Sequence, residues 1–305
     1  MPTVAVIMST YNGEKFLAEQ LDSILAQDGV HVELYIRDDG SKDNTREILS
    51  SYAEKYANIH LDFGENMGYA KSFITELRAA SGCGYYAFSD QDDYWKPEKL
   101  YAAVTAIKAE EAKHGTNTTV MYYSNLYVSD SNLNVIYKTK KEHRIKTLEG
   151  ITLRRNIISG STIVMNARLR EVVVSMPEVV GGHDSFVLSL CIFTKGIAVF
   201  DANTYTFYRQ HGNNTSGSPI KLSHRIKREW HRLLHDDGFE AKRAQAYLKY
   251  WREDFDPAAK KTMTVVAGYR KNLLYRLEML FSPKYRTGDW RLTLMGKVKI
   301  LLGQL

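Results

Sequence analysis

The sequence predicts an α/β fold. Residues 1–217 should form the main domain, with its first four strands parallel in one sheet, and residues 218–305 a basic helical C-terminal region. Three observations predict this. Short apolar runs alternate four times with helix-spaced segments in the first hundred-odd residues. Strands linked through helices need right-handed crossovers and so pair in parallel. After Ser216-Gly217-Ser218-Pro219 the strand patterns stop, and only helix-like stretches remain.

The elements follow in order. Thr3–Met8 is a strand-like apolar run, and Phe16, Leu17, Leu21, Ile24 and Leu25 then recur at helical spacing. Val32–Ile36 is a second strand, followed by a helix over Asp43–Tyr56. Ile59–Phe63 is a third, and a helix over Tyr69–Leu77 carries Phe73, Ile74 and Leu77. Tyr85–Ser89 is a fourth, and a helix starting near Pro97 carries Leu100, Val104 and Ile107. The rhythm then changes. Val120–Val128 and Val135–Lys138 bracket the turn Ser129–Asn134, and Ile157–Met165 reads as a strand interrupted by Ser159-Gly160-Ser161. A helix over Asp184–Phe193 and strands over Ile197–Phe200 and Thr204–Arg209 complete the domain. The C-terminal helices break near Gly238, Pro257 and Ser282-Pro283.

Composition narrows the class. Apolar residues make up 44% and charged residues 25% of 305 positions, which excludes disordered and disulfide-scaffold chains. Two cysteines, Cys83 and Cys191, fit a reducing cytosol. The N-terminus lacks a charged n-region, and the longest apolar stretch, Phe186–Phe193, is under half the ~20 residues of a membrane span. The expectation is a cytoplasmic protein, soluble or peripheral on the inner face of the cell membrane. Charge is uneven: residues 1–218 carry 22 Lys and Arg against 26 Asp and Glu, and residues 219–305 carry 19 against 9. Three of the four tryptophans, Trp230, Trp251 and Trp290, lie in the basic part. The acidic part should hold the chemistry, and the basic part should meet something anionic.

Ligands of open parallel sheets bind beyond the carboxyl ends of the strands. The four loops there read Ser9-Thr10-Tyr11-Asn12-Gly13, Asp38-Asp39-Gly40-Ser41, Gly64-Glu65-Asn66-Met67-Gly68 and Ser89-Asp90-Gln91-Asp92-Asp93. Helix capping accounts for any one of them. Four at one sheet edge, with carboxylates crowded in Asp90-x-Asp92-Asp93, point to a hard divalent cation, Mn²⁺ or Mg²⁺, shared with substrate phosphates. The phosphate-cradle and dinucleotide glycine patterns are both absent, which leaves a metal-bridged nucleoside diphosphate.

These four runs, ending in Ser89-Asp90-Gln91-Asp92-Asp93-Tyr94-Trp95, resemble the inverting family 2 glycosyltransferases of the GT-A nucleotide-diphospho-sugar transferase fold. That fold is a Rossmann-like mixed sheet. With Tyr208-Arg209-Gln210-His211-Gly212-Asn213, the closest likeness is to bacterial rhamnosyltransferases, and it extends over about 215 residues. The resemblance implies that Thr10, Tyr11 and Glu14 border the base and ribose of a nucleotide-sugar donor, and that Asp39 accepts a hydrogen bond from the base. It implies that Asn66, Gly68 and Lys71 line the nucleotide's other side, that Asp90 and Gln91 face the ribose or sugar, and that Asp92 binds the metal. The catalytic aspartate of such enzymes falls here on Asp184, in Gly181-Gly182-His183-Asp184, with histidine where glutamate is usual.

Several residues keep two readings. Asp184 is a general base, a helix N-cap, or both. Arg209 and His211 are ordinary surface residues or a flap closing on the pyrophosphate and metal. Trp95 is core packing or a sugar platform, and His183 is an acceptor contact. The expected reaction transfers one sugar, L-rhamnose from dTDP-L-rhamnose, with inversion onto a cell-surface polysaccharide or lipid-linked saccharide; a UDP-hexose donor is the alternative. A sugar nucleotidyltransferase would carry a basic residue in the first loop, and Ser9–Gly13 has none. A non-catalytic binding module would not need so full a set of carboxylates. The basic segments Ile220–Leu234, with Lys221, Arg225, Arg228 and Arg232, and Trp290–Leu302 are amphipathic. They either lie on an anionic membrane surface, or pack on the protein or form a homodimer. Nucleic acid is not expected, because no recognition motif accompanies the charge.

Overall fold

The computed structural model describes residues 1–139, 148–153, 158–211 and 238–305. Two compact units emerge. Unit 1 comprises Met1–Glu142, Ile158–Cys191 and Gly196–His211; unit 2 comprises His143–Ile157, Ile192–Lys195 and Gly212–Leu305. The expected boundary at 217/218 and the expected helix Ile220–Leu234 lie outside the described residues.

Unit 1 is built on a nine-stranded sheet. Strands β1 (Thr3–Thr10), β2 (His31–Asp38), β3 (Ile59–Phe63) and β4 (Tyr85–Ser89) alternate with helices α1 (Leu17–Leu25), α2 (Thr45–Lys55) and α3 (Tyr69–Ala79). The sequence reading placed all seven, within a few residues at their ends. Next come β5 (Tyr94–Trp95), α4 (Lys99–His114), β6 (Val120–Ser129), β7 (Val135–Lys138), α5 (Leu148–Thr152, in unit 2), β8 (Val164–Asn166), α6 (Ala167–Ser175), α7 (His183–Phe193) and β9 (Ile197–Arg209). The sheet order is β3-β2-β1-β4-β8-β6-β9-β5, with β7 paired to β6.

The first four strands are parallel and the sheet as a whole is mixed, both as expected. β8 joins β4 and β6 antiparallel, and β5 joins β9 antiparallel. β1 is buried on both faces, which explains its continuous apolar run. On one side Val4, Val6 and Met8 meet Leu17, Leu21, Ile24, Leu100 and Val104.

Three expectations change in this region. The strand expected over Ile157–Met165 shrinks to Val164–Asn166, because Gly160–Thr162 forms a 3₁₀ turn in which Thr162 N–H and Oγ1 both donate to the Ser159 carbonyl. The strands expected over Ile197–Phe200 and Thr204–Arg209 are one strand, carried across Asp201–Asn203 by a register shift opposite Ser124 and Asn125. β5 and α6 carried no pattern strong enough to read. β5 is two residues long and exists through its distant partner β9, whereas α6 is capped by Asn166, whose side chain accepts from Leu169 N–H at 3.1 Å.

Unit 2 is helical where it is described: α8 (Phe239–Lys249), α9 (Pro257–Gly268), α10 (Leu273–Phe281) and α11 (Trp290–Leu302). Asp256, Asn272 and Asp289 cap the last three, and Pro257 opens α9. Phe193, Tyr247, Trp251 and Phe255 form an aromatic cluster. No helix among the described residues is long and apolar enough to cross a membrane.

Candidate active site

Strand register brings the predicted loops together in unit 1. Met8 pairs with Ser89 across β1 and β4, Thr10 with Asp38 across β1 and β2, and Asp38 with Phe63 across β2 and β3. The four predicted loops after β1–β4 therefore leave the same sheet edge.

Half of those residues build the site rather than line it. Asp38, which the sequence reading passed over for its neighbour, is a buried hub. It accepts from Thr10 Oγ1 at 3.0 Å, Ser41 N–H at 3.0 Å and Arg46 Nε at 2.7 Å. Burial alone would raise its pKa, but the Ser41, Arg46 and Thr10 bonds together hold it below the usual carboxylate range. Thr10 is thus buried against Asp38. Asp39, 2% exposed, accepts from Met67 and Gly68 N–H, both at 2.9 Å, and so shapes the third loop. Gly68 takes φ +85° at the start of α3, a conformation that would strain any side chain there. Glu14 accepts from Asn44 N–H and Nδ2 at 3.0 and 2.8 Å, ahead of α2. Tyr11, Asn66 and Lys71 are exposed at the rim.

Gln91 clamps the first and fourth loops. Its Oε1 accepts from Tyr11 N–H at 2.9 Å, and its Nε2 donates to the Tyr11 carbonyl at 3.1 Å. The clamp explains Gly13, where a Cβ would stand 2.3 Å from that Oε1. Trp95 is 1% exposed within the core, which decides for packing over a sugar platform.

The carboxylates are arranged in depth. Asp93 is fully buried and Asp90 partly so. Burial, with the neighbouring acids, raises the pKa of both, and Asp92 and Asp184 add to the effect at Asp90. Beneath them lies Lys99, which the sequence reading missed. It is 1% exposed, its Nζ has no hydrogen-bond partner among the described residues, and it stands 3.1 Å from the Trp95 ring centroid. Burial pushes its pKa well down, against the pull of Asp93 and Asp90. A lysine after Pro97-Glu98 looks like an ordinary helix start, so nothing in the sequence marks it.

His211 Nε2 lies 2.7 Å from Asp92 Oδ2. Arg209 is not a surface residue: at 2% exposure it donates to the Asp92 carbonyl at 3.0 Å, pairs with Glu19, reaches the Ser131 carbonyl and stacks on Phe16. Its backbone N–H donates to Asp93 Oδ1 at 3.3 Å. It therefore locks the end of β9 onto the acidic turn. Among the described residues no group of three or more His, Cys, Asp or Glu side chains could hold a metal ion by itself. The adjacent Asp92 and His211 fit a cation whose remaining positions are filled by substrate phosphate and water, the usual manner for Mg²⁺ and Mn²⁺.

Asp184 lies in the first turn of α7, inside the helix rather than before it, with Oδ1 accepting from Ser185 N–H at 2.6 Å. A Cβ on Gly182 would stand 2.8 Å from that oxygen and 3.6 Å from Tyr69 Oη, so the carboxylate and the phenol flank one small space. Burial and the fields of Asp184 and Asp90 raise the Tyr69 pKa and keep the phenol protonated.

His183 is 5% exposed, packed against Phe73, Phe88 and Tyr69, and among the described residues neither ring nitrogen has a hydrogen-bond partner. Burial lowers its pKa to about 4, with Asp184 opposing. The unfolded chain takes up this proton near pH 6.5 and the folded chain near 4, so the stability it contributes is complete above 6.5 and lost as pH falls toward 4. His183→Leu should remove up to about 3 kcal/mol of acid sensitivity across that window in urea titrations at stepped pH. An unchanged pH profile would mean that the ring is not held neutral.

The chain is similar to known proteins along much of its length. Residues 5–173 match the model of a family described as glycosyl transferase family 2. The dTDP-rhamnosyl transferase RfbG of Shigella flexneri is 26% identical over 259 residues, covering 76% of this chain and 86% of that protein. Among solved structures, S. aureus TarS 1–349 in complex with UDP-GlcNAc superposes with a TM-score of 0.57 at 16% identity, covering 98% of this chain and 89% of that one. A mannosyltransferase from Pyrobaculum calidifontis, solved with GDP-Man and Mn²⁺, has a TM-score of 0.53 at 20% identity, covering 100% and 88%. At these identities the two structures establish the fold.

Proposed function

Since the chain belongs to glycosyl transferase family 2 and has the GT-A fold, we propose that it transfers a single L-rhamnosyl unit from dTDP-L-rhamnose to a saccharide hydroxyl with inversion. The acceptor in this reading is a growing cell-surface polysaccharide or a lipid-linked saccharide. The observation that carries the reading is Asp184, set at the start of α7 beside Tyr69 and within the field of Asp90. The rhamnosyl donor is supported by the likeness to RfbG.

In one in-line displacement, the acceptor oxygen forms a bond to the anomeric carbon as the bond from that carbon to the diphosphate oxygen breaks. Asp184 takes the hydroxyl proton, and the electron pair leaves with the nucleoside diphosphate. No covalent sugar–enzyme bond is formed, so configuration inverts. Tyr69 donates a hydrogen bond into the same space, and Gln91 holds the first loop in place for the donor. Asp92 and His211 would hold the divalent cation, which when bound neutralises charge on the leaving diphosphate.

The test is a panel of nucleotide sugars, dTDP-L-rhamnose and UDP-glucose among them, screened with Mn²⁺ or Mg²⁺ for thermal stabilisation. Products are then identified by mass and anomeric NMR. Release of nucleoside diphosphate with an inverted linkage supports the reading, and release of pyrophosphate would reassign the protein to sugar activation. Asp92→Asn should abolish the extra stabilisation that the divalent ion gives to donor binding. If chelation and ion addition act on that variant as on wild type, Asp92 is not the ligand.

A further inference from the structure

The C-terminal unit carries an exposed apolar surface on its last two helices. On α10, Leu273, Leu274 and Phe281 are 68, 73 and 77% exposed; on α11, Trp290, Leu294 and Leu301 are 71, 56 and 60% exposed. Each set recurs at helical spacing and forms one stripe, while Met279 and Ile300 turn inward and are fully buried. The two helices are consecutive, joined by the turn 282–289, and pack on each other. Large exposed apolar residues concentrated on one hairpin mark an interaction surface, whereas scattered ones do not.

Charge selects the partner. Residues 270–302 carry eight Lys and Arg against two Asp and Glu. Lys271, Lys284, Arg286 and Arg291 are exposed on the segments bordering the stripes. A second copy of this chain would bring a matching excess of positive charge against this one, and the two would repel across a symmetric interface. A surface that is apolar below and negative above suits both features. Trp and Leu enter the acyl boundary while cations meet phosphate, each worth about a fivefold gain in partitioning near the surface.

We propose that the α10–α11 hairpin docks this protein on an anionic lipid bilayer. This inference does not rest on the transfer reaction, and its test needs neither donor nor acceptor. The full chain is floated with vesicles of phosphatidylcholine, with and without phosphatidylglycerol. Flotation is expected with the anionic vesicles alone, and release is expected at about 0.5 M NaCl as the charges are screened. Phe281→Ser with Trp290→Ser should lower the bound fraction by about tenfold or more at an unchanged melting temperature, because both side chains are already in water. Lys284→Gln with Arg286→Gln and Arg291→Gln should lower it independently, without touching the apolar stripes. Asp184→Asn should float like wild type. The proposal fails if the wild-type chain stays unbound at low salt, or if either surface variant floats as wild type does. It fails equally if sedimentation shows a dimer that the Phe281/Trp290 variant dissociates.

Discussion

Asp184→Asn lowers kcat by about 10²–10⁴-fold, the range a positioned general base contributes, and leaves donor binding intact. The substitution keeps side-chain volume and an oxygen able to accept from Ser185 N–H, so the first turn of α7 should survive. Its start is braced elsewhere, by His183 packed among Phe73, Phe88 and Tyr69. What disappears is the capacity to take a proton. The measurement pairs single-turnover transfer with thermal stabilisation by donor and Mn²⁺. Transfer at the wild-type rate would remove Asp184 from the chemistry, and loss of donor-induced stabilisation would move it to the donor site.

Arg209→Met costs about 3 kcal/mol of stability by urea unfolding and raises the donor KM. Methionine keeps much of the aliphatic bulk over Phe16 but gives up the bonds to the Asp92 and Ser131 carbonyls. Hydrogen bonds from a buried charged donor are worth about 1.5–3 kcal/mol each. The Glu19 pairing adds little, because that carboxylate is half in water. Arg209→Lys should not restore the loss, since one ammonium cannot reproduce the planar fork that reaches several partners at once. A cost below about 0.5 kcal/mol would show that the β9 end is not what holds the Asp92-Asp93 turn.

The effects differ because the two residues act at different distances from the reaction. In the proposed mechanism Asp184 takes the acceptor proton, so its loss should appear in kcat. Arg209 sets the backbone that presents Asp92, so its loss appears in folding and donor affinity. The sequence reading took Arg209 and His211 together, as ordinary surface residues or as a closing flap. In the structure His211 faces Asp92 and Arg209 is packed beneath.

The parallel half of the sheet was legible because each of its strands is followed by its own helix, and period and length alone separate the two. The site was legible for a related reason: in such a sheet every strand end lies on one edge, so four polar loops in sequence become one cluster in space. β5 and the 3₁₀ turn at Gly160–Thr162 were not legible, since they depend on partners far along the chain, and α6 carried too weak a local pattern. Gly160 faces His183, where a Cβ would stand 2.3 Å from Nε2. Local propensity has no access to that contact.

By itself the sequence determined the order of strands and helices, the edge at which the carboxylates gather, and the residue types available to hold a cation and take a proton. Tertiary structure alone decided which of those side chains face the open edge and which are spent on holding it. Thr10, Asp39, Gln91 and Arg209 are turned inward or paired with backbone, Trp95 is core, and Lys99 is buried against the Trp95 ring. The physical reason is that hydrogen-bond partners and burial come from neighbours dozens of residues away, brought close by strand register and helix packing.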